Sequence, residues 1–483
     1  MTTMLGQVGK IVVQFGGIIL LARLLSPEDY GLLAMVLAVI GVGEILRDFG
    51  LSTASIQARE VTAAQRNNLF WMNTGLGAAC GAAAFLSASA IGSIYNEDRA
   101  VGIAQILAVT FLLNGISAQF RAQLNRDLRF GYIAITDMGS QALGLFAGVV
   151  GALAGWGYWA LVMQQMTIGV VSTILLITLG RWFPGLPTRK ADMKPFLSFG
   201  WALMATQAIG YVSRNVDSLI IGAKFGAGSL GLYNRAFQLL MLPLSQVSAP
   251  ATTVALPVLS RLRDDTDRYS SFLLRGQTIL LHAIIGIFAF ACAQAHPLIV
   301  LVLGEQWLGT VPLFQILSIA GCFQAAGYAV YWVFLSKGLT ASNLRYSLVS
   351  RSGLIGVITL GALWGPPGVA AAYSLGLALM WPFSLWWIGR ISNAPVKQMF
   401  FNGLRSIVAY GAAGGLSFIA STFVPTDLYL ARLGVGTAAM LAPLVMMYFL
   451  WPSYRADVVG IWKSARMALK KRSSPSSLAT PPS

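Results

Sequence analysis

Long apolar segments separated by short polar turns make up almost the whole chain. Each segment runs for about 20 residues, the length of a helix that crosses a bilayer, and ends at charged residues, glycine or proline. No connection is long enough to fold as a soluble domain, so the pattern predicts an all-α polytopic membrane protein with about 14 transmembrane helices. The predicted spans are 5–25, 31–52, 68–95, 100–121, 132–154, 156–179, 196–222, 229–257, 272–295, 308–336, 343–364, 366–390, 403–424 and 428–450.

Composition excludes the main alternatives to a membrane protein. Hydrophobic residues are 56% of the chain and charged residues only 10%, whereas soluble domains carry about 25% charged residues. The apolar content excludes a disordered chain, and 3 cysteines in 483 residues exclude a disulfide scaffold. The first apolar segment lacks a basic leader and an A-x-A-like site, so we predict a retained span rather than a signal peptide.

The charges predict the orientation of the spans. A net charge of +16 would suggest nucleic acid as partner of a soluble protein, but in a membrane protein lysine and arginine collect on the cytoplasmic side. On the predicted map 27 of the 33 basic residues fall on one side. The chain is therefore predicted to have both termini in the cytoplasm and no nucleic-acid partner. The six exceptions are Arg23, Arg99, Arg214, Lys224, Arg235 and Arg432.

An internal repeat appears at an offset of 200 residues. Residues 20–32 and 220–232 each end a span in a small polar turn and open the next span with a Gly-Leu pair. The spacing makes spans 1 and 7 equivalent, as in a parallel transporter repeat with its site between the halves. We therefore predict six-helix bundles over 1–195 and 196–392 and two additional helices over 393–450. Residues 451–483 are predicted to be a basic, Ser/Pro-rich cytoplasmic tail, in which Lys470-Lys471-Arg472 before the Ser/Pro-rich end are predicted to be disordered and in contact with lipid.

Signatures of enzymes are missing from the sequence. It contains no G-x-S-x-G, no H-E-x-x-H, no nucleotide-binding G-x-x-x-x-G-K-[ST] and no repeated metal-ligand spacing. We therefore expect neither catalysis nor direct use of ATP, and no metal site. His282 and His296 are interpreted as lining or interfacial residues, and the three cysteines as packing residues.

Charged residues within or beside the spans are the best candidates for function, because a charge in a membrane needs a partner or a watery cavity. Cationic excess in a cavity suits an anionic cargo, since the arginine fork matches phosphate oxygens. The candidate substrate-binding residues are Arg214, Asp217, Arg47, Arg351 and Arg235. The candidate ion-coupling residues are Asp48, Glu44 and Asp137.

Each of these residues also has a structural interpretation. Glu44 with Arg47, and Arg214 with Asp217, stand three residues apart on one helical face, so each pair can neutralise itself. Asp137 lies near a span end, where snorkelling to the surface is an alternative to a functional role.

Several motifs resemble the bacterial polysaccharide-biosynthesis flippases. They lie within residues 5 to 450 and comprise Leu21 to Gly31, Arg47 to Ser52, Asn215-x-Asp217-x-x-x-Ile221-Gly222, Gly228-x-x-Gly231-x-Tyr233-Asn234-Arg235-Ala236, Pro250 to Arg261, and Gly304-x-x-Trp307 with Pro312-Leu313. The resemblance implies membership of the multidrug/oligosaccharidyl-lipid/polysaccharide exporter superfamily. It further implies two six-helix bundles in a V around a central cavity and alternating access.

The same resemblance implies a cargo, a driver and partners. The cargo would be an oligosaccharide linked to undecaprenyl diphosphate, moved across the bacterial inner membrane for O-antigen, capsule or exopolysaccharide synthesis. The driver would be a gradient of H⁺ or Na⁺, with no cofactor. Expected partners are membrane lipids and the polysaccharide polymerase and chain-length machinery.

Two other functions fit part of the pattern. A multidrug exporter of the same fold would have the same twelve core spans, but we would expect acidic residues for cationic drugs. A membrane-embedded polysaccharide polymerase or ligase would need a sizeable external loop to hold sugars, and the loops here are short.

Overall fold

The computed structural model describes residues 16–189 and 191–473, and these are helical with no strand. After helical residues 16–24, sixteen α-helices follow: α1 Pro27–Asp48, α2 Leu51–Gln57, α3 Ala63–Leu86, α4 Ala88–Tyr95, α5 Arg99–Arg126, α6 Phe130–Leu153, α7 Tyr158–Gly180, α8 Lys194–Arg261, α9 Thr266–Ala293, α10 Ala295–Leu303, α11 Thr310–Ser336, α12 Thr340–Gly361, α13 Gly365–Ile391, α14 Val396–Thr422, α15 Tyr429–Leu450 and α16 Pro452–Ser473. Two short 3₁₀ helices, Glu305–Trp307 and Ala362–Trp364, precede α11 and α13.

Eleven helical segments of the described chain are long and apolar enough to cross a membrane. Two of them, Ser213–Arg261 and Thr340–Ile391, extend over 49 and 52 residues, which is enough for two crossings each. The all-α multi-pass prediction is therefore confirmed. The count of 14 stays a prediction, and its first span, 5–25, lies mostly outside the described residues.

Local sequence explains where α1 begins. Ser26 is its N-cap, and the Ser26 Oγ accepts a hydrogen bond from the Asp29 backbone N–H at 3.2 Å. The Asp29 carboxylate in turn accepts the Ser26 backbone N–H at 2.9 Å. Pro27 occupies the first helical position, where no backbone donor is needed. The Ser-Pro-Glu-Asp motif is thus a helix-start signal.

A backbone break at Gly226 divides the long helix α8. Its φ of 78° and ψ of 178° are non-helical, and a positive φ is readily adopted only by glycine. The break falls between predicted spans 196–222 and 229–257, so the predicted turn is confirmed at the residue where the helix direction changes.

The described chain divides into two compact units. Unit 1 consists of the described residues before Ala236, with Val302–Gly309 and Ala362–Val369. Unit 2 consists of Ala236–Leu301, Thr310–Gly361 and the described residues from Ala370 onward. These limits differ from the boundary predicted at residue 195, because α8 contributes to both units; the division into six-helix bundles stays a prediction.

The C-terminal region contradicts part of its prediction. Instead of being disordered, residues 452–473 form helix α16, whose Tyr454 is only 4% exposed. The remainder of the predicted tail, 474–483, lies outside the described residues.

Candidate functional site

A polar cavity of about 230 Å³ lies inside unit 1. We call it the unit 1 polar cavity; α1, α2 and α5 supply its walls, and its polar lining residues are Arg47, Asp48, Ser52, Asn114, Ser117, Arg121 and Asn125. Two of the predicted site residues, Arg47 and Asp48, therefore share one cavity. Arg121, which the sequence placed among the cations at a span end, joins them.

Arg47 is held in a network with two partners. Its Nε lies 2.8 Å from a carboxylate oxygen of Glu44, and the Arg47 side chain is only 12% exposed. Asn114 of α5 donates its amide N–H to the other Glu44 oxygen at 2.9 Å, and its backbone carbonyl accepts from Arg47 at 3.4 Å. The local pairing predicted for Glu44 and Arg47 is confirmed. Asn114 was missed, although it is a polar residue in an apolar run.

The two aspartates predicted to couple ions have different partners. Asp137 of α6 forms an ion pair with Arg121 of α5, with 2.5 Å between nitrogen and oxygen. Asp48 accepts a hydrogen bond from the Ser52 hydroxyl at 2.6 Å, and no cation forms an ion pair with it among the described residues. Of the three candidate ion-coupling carboxylates, Asp48 is therefore the one without an ion pair among the described residues.

Arg214 and Asp217 do not form the predicted pair. Asp217 is 4% exposed, and it accepts hydrogen bonds from the Tyr233 hydroxyl at 2.7 Å and the Ser218 backbone N–H at 2.8 Å. Arg214 is exposed instead. Because Tyr233 lies across the Gly226 break, the Asp217 carboxylate fastens the two segments of α8 to each other.

Arg235 is enclosed by aromatic rings. Its guanidinium carbon lies 4.0 Å from the ring centre of Tyr30 and 5.1 Å from that of Trp307, and the residue is only 4% exposed. Trp307 in turn donates its indole N–H to the Ala22 carbonyl at 2.8 Å. Arg235 was predicted to bind substrate, but its surroundings in this structure are those of a packed cation–π cluster.

Arg351 lines a second pocket, which lies entirely in unit 2 and measures about 310 Å³. We call it the unit 2 aromatic pocket. Helices α11, α12 and α13 supply its walls. The five predicted substrate-binding residues therefore have different surroundings: Arg47 and Arg351 each line a cavity of their own unit, Arg214 is exposed, and Asp217 and Arg235 are packed in the interior of unit 1.

A further charged cluster in unit 2 was not predicted. Arg405 of α14 makes hydrogen bonds of 2.7 and 2.9 Å to the two oxygens of Asp457 in α16. His282 of α9 lies 3.5 Å from the same carboxylate, and its other ring nitrogen is 3.1 Å from the Tyr410 hydroxyl. The sequence feature that could have indicated this cluster is Asp457, one acidic residue in a strongly basic segment.

Comparison with known proteins identifies related sequences. Residues 20–312 match the model of a family described as polysaccharide biosynthesis protein. The lipopolysaccharide biosynthesis protein WzxC of Escherichia coli K12 is 27% identical over 367 residues, which are 74% of this chain and 73% of WzxC. The teichuronic acid biosynthesis protein TuaB of Bacillus subtilis is 23% identical over 78% of both chains. The succinoglycan biosynthesis transport protein ExoT of Rhizobium meliloti is 20% identical over 84% of this chain and 83% of its own.

Solved structures share the fold. The lipid II flippase MurJ in an inward closed conformation superposes with a TM-score of 0.73 over 92% of this chain and 99% of its own, at 13% identity. An inward-facing multidrug resistance MATE family transporter of the MOP superfamily superposes with a TM-score of 0.63, at 15% identity, over 81% of this chain and 96% of its own. At these identities the likeness establishes the fold.

Proposed function

This chain belongs to the polysaccharide biosynthesis protein family, whose model matches more than half of its length, and from that we propose that it is a flippase for lipid-linked oligosaccharides. Its cargo is an oligosaccharide repeat unit on undecaprenyl diphosphate, destined for a surface polysaccharide. Three relatives support this class, since their names place them in the synthesis of lipopolysaccharide, teichuronic acid and succinoglycan, the last as a transport protein. MurJ, which shares the fold, is itself named a lipid II flippase.

The unit 1 polar cavity is the structural observation that carries the proposal. It places Arg47 and Arg121 on one cavity, where two arginine forks can bind the oxygens of one diphosphate. Both arginines already hold carboxylates, Glu44 and Asp137. A diphosphate that enters this cavity therefore replaces those two carboxylates as the partner of the guanidinium groups.

The carboxylates in and beside this cavity are the candidates for ion coupling. A carboxylate that loses its arginine inside the membrane is destabilised until it takes up a proton or binds a cation. Glu44, Asp137 and the nearby Asp48 are the groups that can do so. We propose that a gradient of H⁺ or Na⁺ drives transport, the ions moving inward through these groups as the cargo moves outward.

We place the protein in the bacterial inner membrane with both termini in the cytoplasm. The support is the basic asymmetry of the sequence, with 27 of 33 cations on one side of the predicted map. The translocated repeat unit then reaches the polymerase and chain-length machinery on the outer face. An alkaline phosphatase fused after Ser483 should be inactive, since the enzyme needs the periplasm, and an active fusion would refute this orientation.

Complementation of a flippase-deficient strain tests the function. The chain should restore surface polysaccharide and lower the amount of lipid-linked repeat unit that accumulates inside the cell. Arg47→Gln should abolish export even when export is divided by the amount of blotted protein, and Arg263→Gln is the matched control, because Arg263 is 64% exposed. Unchanged accumulation with the wild-type chain at normal abundance would overturn the proposal.

A further inference from the structure

The unit 2 aromatic pocket combines ring faces with polar groups. Phe323 of α11 and Trp381 of α13 lie 6.1 Å apart between ring centres, while Phe334 of α11 stacks on Tyr346 of α12 at 5.8 Å and 29°. Among the polar side chains that line the same space are Gln324, Asn343, Ser347 and Ser384. Arg351 is the only charged residue among the described lining residues.

Two residues that line this pocket each carry a buried polar atom with no hydrogen-bond partner among the described residues. These atoms are the side-chain oxygen Oε1 of Gln324, which is an acceptor, and the indole nitrogen Nε1 of Trp381, which is a donor. Both atoms are shielded from solvent, and Trp381 as a whole is only 5% exposed. A buried polar atom without a partner costs on the order of 1–3 kcal/mol, so a ligand that satisfies both is stabilised there.

The chemistry of the pocket distinguishes between the parts of a lipid-linked oligosaccharide. An acyl or prenyl chain would leave the Gln324 oxygen and the Trp381 N–H unsatisfied. A diphosphate would be held by one arginine only, whereas Arg47 and Arg121 share the unit 1 polar cavity. A sugar fits both features, because each hydroxyl donates and accepts hydrogen bonds and the C–H face of the ring packs on aromatic side chains.

We propose that the unit 2 aromatic pocket is a saccharide-binding subsite for the oligosaccharide of the cargo. One or more hydroxyls donate to the Gln324 Oε1 and accept from the Trp381 Nε1, while the rings of Phe323 and Tyr346 border the sugar. This inference rests on the proposed function and adds to it a place where the glycan, rather than its carrier, is recognised.

Binding of the free glycan to the full-length protein in detergent tests the subsite. The probe is the radiolabelled oligosaccharide released by mild acid from the lipid-linked repeat unit of the complemented strain, measured by equilibrium dialysis. Trp381→Phe removes the donor and Gln324→Met the acceptor, and each should weaken binding roughly tenfold, the effect of one lost hydrogen bond in a buried site. Trp386→Phe is the matched control with unchanged binding, because Trp386 is 49% exposed and does not line the pocket.

Cross-linking gives a second measurement that does not depend on how these variants fold. Benzoylphenylalanine at Tyr331, a lining residue that is 43% exposed, should capture the radiolabelled lipid-linked oligosaccharide in proteoliposomes. The same group at Trp386 should not. Equal capture at both positions, or equal glycan binding by wild type, Trp381→Phe and Gln324→Met, would overturn the subsite.

Transport separates failure of the subsite from failure of the proposed function. Wild-type proteoliposomes should translocate both the lipid-linked oligosaccharide and sugar-free undecaprenyl diphosphate, and the two pocket variants should slow only the former. If wild type translocates the lipid-linked oligosaccharide and the variants do so equally well, the subsite is refuted and the flippase stands. If wild type at normal abundance translocates neither lipid, the proposed function itself is refuted.

Discussion

Gly31 and Gly231 each pack directly against the backbone of the turn that precedes the other. A side-chain carbon on Gly31 would collide with the backbone carbonyl of Ala227, and one on Gly231 would collide with that of Pro27. Each partner stands 200 residues from its counterpart, which is the offset of the internal repeat. The two copies of the repeated turn therefore pack against each other through bare backbone, a contact that only glycine permits.

Replacing either glycine by alanine should force these turns apart. Gly31→Ala and Gly231→Ala should each destabilise the protein by about 1–3 kcal/mol, the usual cost of overpacking, and lower its membrane abundance. The matched control is Gly228→Ala, because a side-chain carbon there meets nothing within 4 Å. Thermal unfolding in detergent measures the difference, and midpoints equal to that of the control would contradict it.

Changes at Arg214 and Asp217 should separate transport from stability. Asp217→Leu leaves the Tyr233 hydroxyl and the Ser218 N–H without their acceptor. The protein should lose about 1–3 kcal/mol of stability, and its abundance in the membrane should fall as a result. Arg214 is exposed, so Arg214→Gln should keep abundance normal and abolish export if this arginine contacts the diphosphate. Blotting of membranes and assay of surface polysaccharide distinguish the two effects.

The control for this comparison is Lys224→Gln, at another exposed cation of the same helix. Full export by Arg214→Gln would remove Arg214 from the substrate-binding residues. Normal abundance of Asp217→Leu would show that the contact of Asp217 with Tyr233 across the Gly226 break contributes little to stability.

Arg235→Lys should lower abundance rather than the export per molecule. Lysine keeps the charge but loses the planar face that stacks between Tyr30 and Trp307, an interaction worth up to about 2 kcal/mol in a desolvated site. Export divided by blotted protein is the measurement, and Arg268→Lys, at a side chain 77% exposed, is the control. Normal abundance with lost export would restore Arg235 as a substrate contact.

Asp48→Asn should uncouple transport from the ion gradient. Among the described residues Asp48 has a hydroxyl partner but no ion pair, so its ion binding requires no arginine to be displaced. In proteoliposomes, transport by the variant should respond neither to an imposed pH gradient nor to a Na⁺ gradient. Asp264→Asn, at a side chain 89% exposed, should respond as the wild type does. A wild-type response of Asp48→Asn would exclude Asp48 from coupling.

Truncation of α16 beyond Asp457 and substitution of Asp457 itself should have opposite outcomes. A chain ending after Trp462 keeps Tyr454 and Asp457, and its export should be largely intact. Asp457→Asn leaves Arg405, only 16% exposed, without its carboxylate, and we expect a loss of about 3–5 kcal/mol in stability, typical of a broken buried pair. Thermal unfolding measures this loss, with Arg455→Gln, at an exposed cation, as control.

The sequence alone predicted the all-α multi-pass fold and the turn at Gly226 correctly, because these depend on local properties. Apolar runs of membrane length must form helices, since the bilayer offers no other partner to the backbone. Gly226, at the predicted turn, acts through its own backbone, and Ser26 and Asp29, at the predicted polar turn, cap a helix through side chains only three residues apart. For the same reason the Glu44–Arg47 pair was predictable: its residues stand one helical turn apart.

Which partner each charge takes was decided by tertiary structure. Arg214 and Asp217 have the same spacing as Arg47 and Glu44, yet Asp217 binds Tyr233, which comes within reach only because α8 breaks at Gly226. Arg235 is enclosed by Tyr30 and Trp307, which are remote from it in sequence. Helical spacing limits which residues can meet within one helix, but a buried charge takes the partners that desolvate and satisfy it best, and these depend on which helices pack together.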